Sequence, residues 1–155
     1  MTICKARLLS ILAEWEIDLV EVDFSRLQEA LHELPLRVAV PVIKTYFNSW
    51  ATSSRYRETV RNPCIFGCLA PDNLRHYLLC ECLWSQISAV TKIPMAEYDP
   101  IARLGLIDFS LRDFQSLVLG FHTYHALKHS GQVNDGAPQM RDTIVVDARL
   151  LSLIP

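Results

Sequence analysis

At 155 residues, half of them hydrophobic, the chain is long enough to bury a core without disulfide staples, which suits one domain. A formal net charge of −2 excludes any global attraction to polyanions, so a role on nucleic acid has to rest on local charge. No apolar run is long enough to cross a bilayer, which excludes a membrane-spanning helix.

The first element is predicted over residues 3 to 16, where Ile3, Leu8, Ile11, Leu12 and Trp15 recur at helical spacing. Glu14, Glu16 and Asp18 interrupt that apolar stretch and no small-residue cleavage site follows. A signal peptide is therefore not expected, and the reading is an intracellular protein, cytoplasmic or nuclear. Asp23 or Ser25 can cap a second helix carrying Leu27, Leu31 and Leu34 on one face. Pro35 suits the first position of a third helix reaching about Trp50, with a kink or break expected at Pro41.

Residues 44 to 61, KTYFNSWATSSRYRETVR, change character. Lys44, Arg55, Arg57 and Arg61 face a single acid, Glu58, and Tyr46, Phe47, Trp50 and Tyr56 are interleaved with them. Arginine forks grip phosphates, and exposed aromatic faces stack on unpaired bases. Lys44, Arg55, Arg57 and Arg61, with Arg75 further on, are the candidate phosphate contacts, and Trp50 and Tyr56 the candidate stacking residues. A solvated surface above core aromatics explains the same letters.

Residues 64 to 80, CIFGCLAPDNLRHYLLC, hold Cys64, Cys68, His76 and Cys80 in a C-x3-C-x7-H-x3-C arrangement. Thiolate sulfur and imidazole nitrogen are the ligands of tetrahedral Zn²⁺, and a closed structural site takes four of them. Gly67 can supply the positive φ of a tight loop. Asp72 or Asn73 can cap a helix running from Leu74 to Trp84, which would place His76 and Cys80 one turn apart on one face. Cys82 lies well round that helix and is the weaker fourth ligand. Buried metal-free cysteines, disulfides and a catalytic Cys–His pair are the competing readings. Disulfides suit an oxidising compartment, and no orienting carboxylate stands near His76 in sequence for catalysis.

Beyond the knuckle, Leu78, Leu79, Leu83, Trp84 and Ile87 extend an apolar stripe that Pro94 ends, and a short helix or turn is expected within residues 98 to 108. Ser110 caps a clearer helix through Phe114, Leu117, Val118, Phe121 and Tyr124 to about Lys128, with Gly131 as its stop. His122, His125 and His129 sit on it as i, i+3 and i+7 and read as an ordinary histidine-bearing surface rather than a second metal site. Residues 130 to 142 have turn composition. The division expected is a helical domain over 1–130 followed by a linker and a tail of strand or helix over 131–155. No phosphate-binding glycine loop, nucleophile elbow or paired-carboxylate motif occurs, so no catalytic residue is assigned. The fold class expected is mostly α, a small helical domain with a Cys3His zinc knuckle at a turn–helix junction.

NSWATSSRY at 48–56, PCIFGC at 63–68 and DNLRHYLLC at 72–80 together resemble the region that follows the polymerase in non-LTR, LINE-like retrotransposon reverse transcriptases of the protist type. There an N-x-W-x-T-x-x-R-F/Y helix precedes a CCHC zinc knuckle. The resemblance covers roughly residues 36 to 90, with a looser echo at Phe121–Leu127, and departs from the family in having three rather than four residues between His76 and Cys80. It implies a non-catalytic accessory domain that binds RNA or DNA beside a polymerase domain, the polymerase motifs themselves being absent from this chain. A helical protein-interaction module built on a metal or cysteine cluster is the other class that the residues allow. A small zinc hydrolase would need an open metal position beside an acid.

Overall fold

A computed structural model describes residues 2–17, 22–94, 99–130 and 137–153, the side chains of residues 2, 3, 137 and 138 excepted. Eight helices form among them, and no strand does. The mostly helical class expected from the sequence is what is found.

Helix α1 (Thr2–Glu14) buries Leu8, Ile11 and Leu12 on one face, and Trp15 follows them inward just past its end. Helix α2 (Phe24–Glu33) starts at Asp23, whose carboxylate accepts from the backbone N–H groups of Ser25 and Arg26 at 3.0 Å each. Those are two of the donors a helix start leaves orphaned. Helix α3 (Leu36–Tyr46) is shorter than its pattern suggests, and Pro35 serves as its cap residue rather than its first turn. Pro41 lies inside it without ending it. One backbone hydrogen bond is forgone there, while Val38, Val42 and Tyr46 remain buried on the inner face and outweigh that loss.

Part of the stretch expected to be linker is helical. Helix α7 (Leu111–Ser130) is the central strut, in contact with α3, with α5 (Glu81–Thr91), with the short α6 (Pro100–Arg103) and with α8 (Ala137–Leu150). Ser110 caps α7 as expected, accepting from the Asp113 N–H and donating to its carboxylate. Helix α8 begins where a linker was expected, and it buries Met140, Ile144 and Ala148, with Leu151 following, in the common core. Residues 137–150 therefore belong to the helical body, because that apolar row at i, i+4, i+8 has α5 and α7 to cover it. Residues 131–136 of the expected linker, among them Gly131, the expected stop of α7, lie outside the described residues, as does the Ile3 side chain. No helix among the described residues is long and apolar enough to cross a membrane.

Candidate metal centre

The segment 62–72 folds back on itself before any helix begins. Cys64 N–H donates to the Ala70 carbonyl at 2.7 Å, Asp72 N–H donates to the Asn62 carbonyl at 3.1 Å, and Pro63 and Pro71 form an isolated bridge. Gly67 takes φ +87° at the tip, the left-handed conformation expected of it, and Leu69 follows at φ +60°. This tight loop presents Cys64 and Cys68 on one side.

Helix α4 (Leu74–Leu79) presents His76. Asn73 is its cap, accepting from the His76 N–H at 2.8 Å. The single helix expected from Leu74 to Trp84 is divided. At Cys80 the backbone turns extended (φ −65°, ψ 106°), and this one residue ends α4 and starts α5. Cys80 therefore reaches the cluster from a helix junction, not from an i, i+4 position, and the three-residue gap after His76 is accommodated by that break.

The ligand atoms of Cys64, Cys68, His76 and Cys80 all lie within 4.8 Å of one another, so the four side chains could hold a metal ion. Cys80 Sγ lies 3.8 Å from both Cys64 Sγ and Cys68 Sγ, and His76 Nε2 lies 3.1 Å from Cys68 Sγ. A tetrahedron with metal–sulfur bonds of about 2.3 Å has sulfur–sulfur edges of about 3.8 Å, which matches the two pairs that Cys80 makes. The shorter Cys68–His76 approach is that of a thiol–imidazole hydrogen bond, which opens to roughly 3.5 Å in such a centre. Cys82 stands outside the group. It is the only converging group of three or more His, Cys, Asp or Glu side chains among the described residues, and His122, His125 and His129 do not form a second.

Charge is shared unequally among the thiols. Hydrogen bonding from the Cys80 thiol, aided by the Phe66 N–H at 3.4 Å, lowers Cys64 to about 5 against the cost of its burial. The same pairing with Cys64 pushes Cys80 up, and burial raises Cys68. A cation at the centre favours the thiolate at all three.

Behind the knuckle lies an anchor that the sequence reading takes only for a possible helix cap. Asp72 is fully buried. Its carboxylate accepts from the Ser53 N–H at 2.8 Å and the Tyr77 hydroxyl at 2.6 Å, and pairs with the Lys128 ammonium of α7 at 3.1 Å. Burial, with the carboxylate's own charge, raises both Tyr77 and Tyr124 and keeps their hydroxyls protonated as donors.

The basic stretch is reorganised by this packing. Residues 48–62 form successive turns rather than a helix. Trp50 is fully buried, stacked on Tyr77 at 5.7 Å, 5.0 Å from Tyr124, and donating from Nε1 to Thr45 at 3.0 Å. It cannot stack on a base, and its role as a stacking residue is overturned. Tyr46 is buried likewise, its hydroxyl bound to the Leu104 carbonyl. Tyr56 stays outside, 60% exposed. Lys44, Arg55, Arg57, Arg61 and Arg75 are all exposed, and Arg55, Arg61 and Arg75 line one common cleft beside the knuckle.

Across α7, His125 packs on Phe121 at 4.2 Å and its Nε2 is buried without a hydrogen-bond partner. Burial first, then the charges of His129, Lys44, His122 and Arg55, lower it to about 4. The unfolded chain therefore takes up a proton below about pH 6.5 that the folded chain refuses until about 4. Stability should be unaffected above that window and fall by about 1–2 kcal/mol on crossing it downward, after discounting for the partly exposed ring. Urea midpoints at pH 7 and pH 5 should diverge less in His125→Leu than in the parent, and an unchanged divergence would rule out His125 as the source. No protein-family model, curated protein or solved structure matches this chain.

Proposed function

We propose that this chain is a non-catalytic nucleic-acid-binding domain whose Cys64–Cys68–His76–Cys80 centre is a structural Zn²⁺ site. The observation that carries the reading is the convergence of Arg55 and Arg61, from the turns of residues 48–62, with Arg75, from α4, on one cleft next to that centre. Three soft thiolates and an imidazole suit zinc by ligand chemistry. With all four positions filled by protein the ion has none left for water. The one buried acid among the described residues, Asp72, is committed to Lys128, Ser53 and Tyr77. The centre then serves to hold α4 against the 62–72 loop, and with them Arg75 and Arg61. The polymerase domain implied by the retrotransposon resemblance is the proposed partner, and RNA or DNA the proposed ligand.

Binding to a labelled oligonucleotide should weaken with salt by roughly 0.7–0.9 log units per log of salt for each phosphate contact. Replacing Arg55, Arg57 and Arg61 together with glutamine should lower affinity for every sequence alike and flatten that slope by about 2 units. An unchanged slope in the triple variant contradicts the assignment of these arginines. A second reading, a protein-interaction module, is favoured by a separate observation. Leu36, Val40 and Ile43 are exposed at i, i+4 and i+7 along the outer face of α3. Absence of oligonucleotide binding even at low salt would move the weight to that face.

A further inference from the structure

The arginine cleft is a more specific object than a basic surface. It encloses about 340 Å³ and is lined by Arg55, Arg61 and Arg75, by the neutral polar side chains of Asn48, Thr52, Ser54 and Asn73, and by one acid, Glu14. That volume fits a nucleotide-sized group. None of the three guanidiniums lies in an ion pair with a carboxylate among the described residues. Asn48, held at φ +52°, lines the cleft, and its side-chain oxygen is buried with no hydrogen-bond partner among the described residues. Trp15 and Leu74 complete the lining and are themselves buried.

Charge counting decides which phosphate suits it. Three guanidiniums against one carboxylate leave two positive charges in excess. An internal phosphodiester brings one negative charge and two free oxygens. A terminal phosphomonoester brings nearly two charges at pH 7, its second pKa being about 6, and three acceptor oxygens for guanidinium forks. We propose that this cleft seats the terminal phosphomonoester of a nucleic-acid strand. The proposal rests on the nucleic-acid reading above and narrows it from a surface that follows the backbone to one that also grips an end.

The test uses the zinc-loaded chain and anisotropy with matched oligonucleotides bearing a phosphate or a hydroxyl at the 5′ or the 3′ end. One of the two phosphorylated strands should bind about tenfold more tightly than its hydroxyl counterpart, the scale of an added charged hydrogen-bond set. Arg55→Gln, Arg61→Gln and Arg75→Gln, all at exposed positions and so expected to fold, should each erode that preference. Arg57→Gln, outside the cleft, should lower affinity for both strands and leave the preference intact. Glu14→Gln should tighten the phosphorylated strand by roughly two- to fivefold. Lowering the pH from 7.5 to 5.5 should shrink the preference as the phosphate takes up its second proton. Inorganic phosphate should displace the phosphorylated strand only at far higher concentration than a competing phosphorylated strand does. Displacement at equal concentration would assign the cleft to free phosphate and overturn the strand end. Equal binding of phosphorylated and hydroxyl strands at both ends overturns the cleft proposal and leaves the nucleic-acid reading standing. Binding of neither overturns both.

Discussion

If the proposed centre holds Zn²⁺, stripping the ion, or replacing Cys80 with serine, should lower stability by about 4 kcal/mol when free zinc stands about a thousandfold above its Kd. For a chain of this length that is a fall of roughly 10–15 °C in Tm. The effect should be uneven along the sequence. Cys64 and Cys80 belong to the buried core, and between the ligands the chain is held by a handful of loop hydrogen bonds, so amide protection in residues 60–90 should collapse first. The buried faces of α1 to α3 contribute no residue to the cluster and should keep their protection. Two tryptophans report the change: Trp50 stacks on Tyr77, and Trp84 Nε1 donates to the Tyr77 carbonyl at 3.0 Å. Cobalt offers a direct check, since a tetrahedral three-thiolate site should show intense d–d absorption that Cys80→Ser diminishes and Cys82→Ser leaves alone. Equal loss in both variants would reopen the choice between the two cysteines. Unchanged stability after complete chelation would defeat the structural-site claim.

What could be read in advance is what depends on neighbours in sequence. Four ligand residues within 17 positions announce themselves through spacing and chemistry alone, and so do Asp23 and Ser110 as caps. The division of the ligand helix at Cys80 was hidden because every residue from Leu74 to Trp84 except the cysteines is comfortable in a helix. Only the need to aim the Cys80 sulfur at the cluster requires the extended backbone there. Trp50 and Tyr46 illustrate a different limit. Aromatics interleaved with arginines look alike whether the rings face bases or the core, and what decided the matter was α7 bringing Phe121 and Tyr124 against Trp50. The apolar row Met140, Ile144, Ala148, Leu151 did carry a legible helical period, masked by the turn-rich residues just before it. Local charge did mark Arg55, Arg61 and Arg75 as candidates, but that these three share a cleft from which Arg57 is left out follows from turns and loop closure rather than from periodicity.

The same limit applies with most force to Asp72 and Lys128, which meet across 56 residues of sequence. Asp72→Ala should cost roughly 3–5 kcal/mol. The substitution leaves the Ser53 N–H, the Tyr77 hydroxyl and part of the Tyr124 hydroxyl's hydrogen bonding without an acceptor in a region that water does not reach. Lys128→Met should cost nearly as much, because the lysine is partly exposed while the carboxylate it neutralises is not. Asp72→Asn keeps one acceptor oxygen and should fall between the parent and Asp72→Ala. Combined with Lys128→Met it should lose less than the two single changes added together, as expected of a coupled pair. Thermal melts of the zinc-loaded variants would measure all four, and an Asp72→Ala protein within about 0.5 kcal/mol of the parent would show that the network is not what joins these elements. The consequence for function follows from what Asp72 ties together. Through Ser53 it holds the turns that carry Arg55, and through Tyr77 the helix that carries Arg75, so two walls of the cleft share one buried carboxylate. Asp72→Asn, folded but looser, should therefore weaken oligonucleotide binding although no atom of Asp72 reaches the surface. A variant that binds as tightly as the parent would separate the cleft from the anchor beneath it.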